Sequence, residues 1–232
     1  MAHAEVFKDA SEELDFYKRL VTGTTGTALL ASAKMAGHEQ YEEDIRSNTF
    51  EIVNAMKNTL RASKAVKPSA WGKRNLDLGL HSPKSTDLLE YGVIEIKWDP
   101  SRTFHGVLDI VQDIYRLAAV RNGESIVRCF LAGGLHFDDL RNIDDNLGVL
   151  LSDSLTEPKR SISVSDLVCH FSDAAKRTPV QDHIKGRLET ELMAWHPLNR
   201  YYEHNGYLVS QSWGGVFAWK IEALSDTNSR AC

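Results

Sequence analysis

The chain has 232 residues, 42% hydrophobic and 25% charged, with a formal net charge of -5; this is ordinary globular usage with ample length for a buried core. The acidic balance excludes a protein that holds nucleic acid by global charge alone, although a local basic surface can suffice. Three isolated cysteines (Cys129, Cys169, Cys232) without C-x-x-C spacing exclude a disulfide framework or zinc knuckle and point to a reducing compartment.

The first residues lack the basic-then-apolar layout of a secretory leader. No apolar run approaches the about 20 residues of a membrane span. A soluble, cytoplasmic protein with no membrane partner is therefore expected. In chain order, Val6, Ala10, Leu14, Tyr17 and Leu20 predict a first helix over 5–20, and V-T-G-T-T-G-T (21–27) reads as a flexible connection because it lacks the Gly-Lys-Ser/Thr ending of a phosphate loop. Residues 39–62 predict a helix with Ile45, Ile52, Val53, Met56 and Leu60 on one face. Glu42, Glu43 and Asp44 enrich its first turn in acid. Glu42 lies at the border of the apolar face, where it is either solvated or turned into a cleft.

From Lys57 to Arg74 the chain is basic (Lys57, Arg61, Lys64, Lys67, Lys73, Arg74) with Trp71 among the cations and no acid. Such a run is either a solvated helix end and loop or a rim for a phosphate backbone, with Lys64, Lys67, Lys73 and Arg74 as the candidate nucleic-acid contacts. N-L-D-L-G-L-H (75–81) alternates Leu76, Leu78 and Leu80 with Asp77, Gly79 and His81, as a strand does. Gly92–Trp98 alternates again: Ile94, Ile96 and Trp98 point one way, Val93, Glu95 and Lys97 the other. The two strands are expected to pair as a long hairpin across the turn-forming S-P-K-S-T.

A helix over 105–121 follows, with Val107, Ile110, Val111, Ile114, Leu117 and Ala118 as its buried stripe and Asp109, Asp113 and Arg116 outside. Ser125–Ala132 reads as an apolar strand interrupted at Arg128, so that strand, crossover helix and strand predict a partly parallel mixed sheet. Residues 136–160 are rich in Asp but lack the calcium-loop pattern. Ile184, Leu188, Leu192 and Trp195 predict a helix over 180–195 stopped at His196-Pro197. The tail reads as a hairpin turning at Gly214-Gly215, with Phe217, Trp219 and Ile221 alternating after it.

Helix, Asp-bearing strand, Glu-x-Lys strand, helix and apolar strand follow one another over roughly 40–132. Asp77 followed by Glu95-Ile96-Lys97 resembles the PD-(D/E)xK motif of the restriction-endonuclease-like nuclease superfamily, with Leu76 in the place of its Pro. Asp87 competes for the acidic position but would need a very tight hairpin at Tyr91-Gly92. Some members carry a glutamine and a tyrosine one turn apart on the next helix, and Gln112 and Tyr115 lie there with a shorter gap. The resemblance implies an α/β (α+β) fold: a restriction-endonuclease-like mixed β-sheet flanked by helices, here with an added C-terminal helix and β-hairpin. The expected plan is a single domain, with a helical extension at 1–38, a nuclease-like core at 39–135 and a C-terminal elaboration at 136–232.

It further implies a Mg2+-dependent nuclease cutting DNA, in restriction, repair or anti-phage defence, with Mn2+ able to substitute and RNA an alternative substrate. Asp77, Glu95 and the carbonyl of Ile96 would hold the ion, and Lys97 would polarise the attacking water. Hard oxygen donors suit Mg2+, which keeps most of its remaining positions for water and phosphate. A homodimer with Trp213–Trp219 at its interface is the expected assembly, because double-strand cutting in that family often uses two active sites. The alternative is a catalytically inactive nucleic-acid-binding or assembly subunit with the same fold.

Overall fold

The computed structural model describes residues 6–33, 38–67, 75–98, 104–120, 124–135, 147–152, 154–171, 184, 186–205 and 207–224. Two helices, α1 (Ala10–Ala33) and α2 (His38–Met56), precede three strands, β1 (Arg61–Val66), β2 (Leu76–His81) and β3 (Gly92–Trp98). Helix α3 (Phe104–Ala119) crosses to β4 (Val127–Leu135). A short helix α4 (Leu147–Leu150), strand β5 (Lys159–Ser163), helix α5 (Val164–His170) and the long strands β6 (Arg187–His204) and β7 (Tyr207–Leu224) complete the order.

The seven strands form one mixed sheet in the order β1-β2-β3-β4-β7-β6-β5. β3 and β4 are parallel, joined by the α3 crossover, and the other neighbours are antiparallel. The β2–β3 hairpin expected from the alternation is present, with Leu78 opposite Ile94 and Leu80 opposite Gly92. Each sheet face buries its own core. Ile94, Ile96 and Trp98 join Leu78, Leu80 and Cys129 beneath Tyr17, Leu20, Ile45 and Val53 of α1 and α2. On the opposite face Val93, Phe130, Phe217 and Trp219 pack under Ile110, Ile114 and Leu117 of α3.

Several sequence expectations give way to the structure. V-T-G-T-T-G-T is helical throughout and continues α1. Gly23 is where α2 comes close: a Cβ there would meet Ile52 Cδ1 at 2.4 Å. The threonines bond back along the helix, Thr25 Oγ1 to the Val21 carbonyl at 2.8 Å and Thr27 Oγ1 to the Gly23 carbonyl at 3.2 Å. The second helix ends at Met56, not at residue 62, and the basic run continues as the edge strand β1. Residues 68–74, with Trp71, Lys73 and Arg74, lie outside the described residues.

The helix predicted over 180–195 is a correction: from Arg187 onward the chain is strand β6. Leu188 and Leu192 are four apart, a spacing that fits one helix face and one strand face equally, and buried Thr190 between them is what a strand requires. The hairpin turn is also displaced. His204 pairs with Tyr207, so the chain turns between these two residues, with Asn205 at φ 52°, and not at Gly214-Gly215, which sit inside β7 opposite Leu198 and Pro197. Pro197 is accommodated because β5 pairs with β6 only as far as Glu191, leaving the rest of β6 with one neighbour. Among the described residues no helix is long and apolar enough to cross a membrane.

Candidate functional site

Asp77 on β2 and Glu95 on β3 come together, each carboxylate anchored by the other strand's main chain. Ile96 N–H donates to Asp77 Oδ2 at 2.8 Å, and Asp77 N–H donates to Glu95 Oε2 at 3.3 Å. Alternation along β3 puts Lys97 on the Glu95 face. Lys97 Nζ stands 3.7 Å from Asp113 Oδ2 of α3, and its side chain is 24% exposed, at the open border of the cluster.

The remaining charges come from helices. Arg116 donates to Glu95 Oε1 at 2.5 Å, to Asp113 Oδ1 at 2.7 Å and to the Asn75 carbonyl at 3.3 Å. Arg46 of α2 approaches the other end, its Nε 2.8 Å from Asp77 Oδ1 and its Nη1 2.8 Å from Glu43 Oε2. Four elements thus converge on one group: Asp77, Glu95 and Asp113 against Arg46, Lys97 and Arg116.

Sequence reasoning placed Asp113 and Arg116 on the outer side of α3, and the structure buries both, at 4% and 8% exposure. The cause is a second layer over α3. Leu150, Ile162, Leu167 and Phe171 close on the helix with the sheet behind it, and Tyr115 donates from its hydroxyl to the Leu167 carbonyl at 3.4 Å. Covered on this side as well, Asp113 and Arg116 are cut off from solvent and must find partners inside. The signal available in the sequence was the i,i+3 spacing of Asp113 and Arg116, which makes them neighbours on the helix.

Burial sets the electrostatics. Loss of water pushes the Glu95 carboxyl well above its ordinary value, helped by Asp113 and Asp77 and opposed by Arg116. Asp113 is raised from 3.8 to about 6, again chiefly by burial, with Arg116 and then Lys97 pulling it down. Arg116, and for Asp113 also Lys97, therefore offset the cost of burying these carboxylates only in part.

Other candidates fall elsewhere. Asp87 is a turn residue whose Oδ1 accepts from Leu89 N–H at 3.0 Å, while Asp77 is the acid that bonds across to β3. Gln112 is buried on α3, as is Tyr115. Glu42 lies on α2, with its side chain outside the described residues. Lys64 lies over the Phe50 ring at 5.1 Å and donates to Ser47 Oγ at 3.0 Å, which draws it onto α2. Lys67 is exposed at the end of β1, whereas Lys57, from the same basic run, ties down α1 by pairing with Glu12 at 2.5 Å.

Trp219, expected at a subunit interface, is fully buried, and its Nε1 donates to the Ser152 carbonyl at 2.8 Å. Phe217 stacks on it with ring centroids 5.4 Å apart. It is a core residue, because β7 is an inner strand with β4 on one side and β6 on the other.

Among the described residues no group of three or more His, Cys, Asp or Glu is arranged to hold a metal ion; Asp77 and Glu95 form a carboxylate pair. Comparison of the chain with models of protein families, with curated proteins and with solved structures yields no match.

Proposed function

We propose that the chain is a metal-dependent nuclease of the PD-(D/E)xK kind that hydrolyses DNA phosphodiester bonds. The observation that carries the reading is the junction of Asp77 and Glu95, held by reciprocal main-chain bonds across β2–β3 on the border that Lys97 occupies. The observed order α2, β1, β2, β3, α3, β4 holds the expected helix, Asp-bearing strand, Glu-x-Lys strand, helix and apolar strand, with the edge strand β1 added after α2.

The donor set suits Mg2+ or Mn2+. Asp77 and Glu95 offer hard oxygens on adjoining strands, each carboxylate has lone pairs beyond those used, and the Glu95 carboxyl is raised despite Arg116 beside it. Asp77 and Glu95 would hold the ion, with the Ile96 carbonyl as the main-chain donor. Bound there, such an ion supplies a Lewis acid and a water made nucleophilic near neutral pH. Lys97 would orient the attacking water and offset charge on the scissile phosphate, as a donor aimed at developing charge does. Arg116 fixes the Glu95 carboxylate, and Asp113 pairs with the Lys97 ammonium at the border of the cluster. A cytoplasmic setting and DNA as partner belong to the same reading, with RNA the other nucleic acid to be assayed.

One observation favours a second reading, that of a catalytically inactive binding or assembly subunit. Asp77 Oδ2 and both Glu95 oxygens already accept from protein donors, Asp77 Oδ1 lies 2.8 Å from Arg46 Nε, and three carboxylates face three cations. Incubation of plasmid and linear duplex with Mg2+ separates the two. Cleavage that EDTA stops and that falls by about a hundredfold or more in Lys97→Ala and Asp77→Asn is the expected result. Cleavage indifferent to both substitutions sinks the nuclease assignment to this site; retained duplex binding without cleavage or metal uptake selects the subunit.

A further inference from the structure

The cluster has three cations, and they are not held alike. Arg116 is clamped by Glu95, Asp113 and the Asn75 carbonyl, with its side chain 10% exposed. Lys97 sits at the border, 3.7 Å from Asp113 and away from the oxygens of Asp77 and Glu95 that other donors take. Arg46 differs from both. From α2 its Nε is ion-paired with Asp77 Oδ1 at 2.8 Å but makes no hydrogen bond, its side chain is 27% exposed, and its Nη1 donates to Glu43, itself 60% exposed.

The other contacts to the two carboxylates resist change. Ile96 N–H and Asp77 N–H are main-chain donors between paired strands, and releasing them would disturb the hairpin itself. Swinging Arg46 aside leaves its guanidinium near Glu43 and solvent, so the contact that can open at low cost is Arg46 to Asp77 Oδ1.

We propose that Arg46 is a displaceable counter-ion latch on Asp77: it neutralises the carboxylate when no metal is present, and a divalent cation must displace it to bind. This rests on the reading of Asp77 and Glu95 as a divalent-cation site. A guanidinium and a dication compete for the same oxygen, and like charges this close repel. Resting neutrality comes at the expense of weaker metal affinity, so uptake follows the free cation concentration over a higher range than the bare carboxylates would set.

The test is direct Mn2+ titration, read as free-ion signal by electron paramagnetic resonance, on the full chain and on Arg46→Gln, Arg46→Ala and Asp77→Asn. Arg46→Gln keeps most of the aliphatic stem, so it carries the comparison if Arg46→Ala folds poorly; circular dichroism checks both. Loss of a competing charge ion-paired with Asp77 predicts Mn2+ affinity about tenfold or more tighter in Arg46→Gln, with binding lost in Asp77→Asn. If Asp77→Asn abolishes binding while Arg46→Gln matches or falls below the unaltered protein, the latch is overturned and the metal site stands. If neither the unaltered protein nor Arg46→Gln binds Mn2+, or if binding ignores Asp77→Asn, the metal site falls and the latch with it.

Discussion

Asp113 and Glu95 keep their protons to higher pH than ordinary carboxyls because they lose hydration that Arg116 and Lys97 replace only in part. The folded state therefore binds protons more tightly than the unfolded one, which is the reverse of an acid stabilised by its salt bridge. Stability from Asp113 is highest below its ordinary value of 3.8 and falls as pH rises to about 6, above which the loss is complete. One proton changes stability by at most about 1.4 kcal/mol per pH unit in that window. Urea denaturation of the protein and of Asp113→Asn at a series of pH values should show the difference between them shrinking in favour of the variant from pH 4 to 6. A difference that is flat there would show that Asp113 is not raised. At this scale the sequence was legible where strand alternation applied: Asp77, Glu95 and Lys97 stand where the pleat puts them. Asp113, Arg116 and Arg46 were not legible as cluster members, since each comes from a helix whose approach to the strands is a matter of packing.

Among the elements, α1 shows how a glycine-rich stretch can be a helix. Glycine costs a helix up to about 1 kcal/mol relative to alanine, so V-T-G-T-T-G-T reads locally as a break. Close packing on Ile52 and the contact of Thr24 with Thr49 hold it helical. The two glycines should then respond oppositely. Gly23→Val drives side-chain carbons into Ile52 and is expected to cost about 1–3 kcal/mol. Gly26→Ala, with nothing within 4 Å of the added carbon, is expected to stabilise by up to about 1 kcal/mol. Midpoints of chemical denaturation measure both, and equal effects would contradict the packing described. The β6–β7 hairpin makes a related point. Met193 is an extra residue between the Leu192–Trp219 and Ala194–Ala218 pairs, and it passes the buried residues from the α3 face to the α1 face. Period-two reading cannot follow a strand through such a bulge, and the turn read from the sequence at Gly214-Gly215 falls instead just after His204.

Over the whole molecule, the C-terminal strands complete the sheet that carries the cluster: β7 pairs with β4, and Trp219 packs in the core beneath α3. Trp219→Ala should therefore cost about 3–5 kcal/mol in denaturation, independent of protein concentration. A cost that grows on dilution would return Trp219 to a subunit interface. By itself the sequence determined the strand faces, the β2–β3 hairpin, the amphipathic helix after it and the parallel step to β4, because period and turn chemistry are local properties of consecutive residues. Only the tertiary structure decided that the outer side of α3 is covered, that residues 187–204 form a strand, and that Arg46, Asp113 and Arg116 join Asp77, Glu95 and Lys97. Those depend on which distant segments displace water from a given surface, and no pattern of neighbours along the chain encodes that alone.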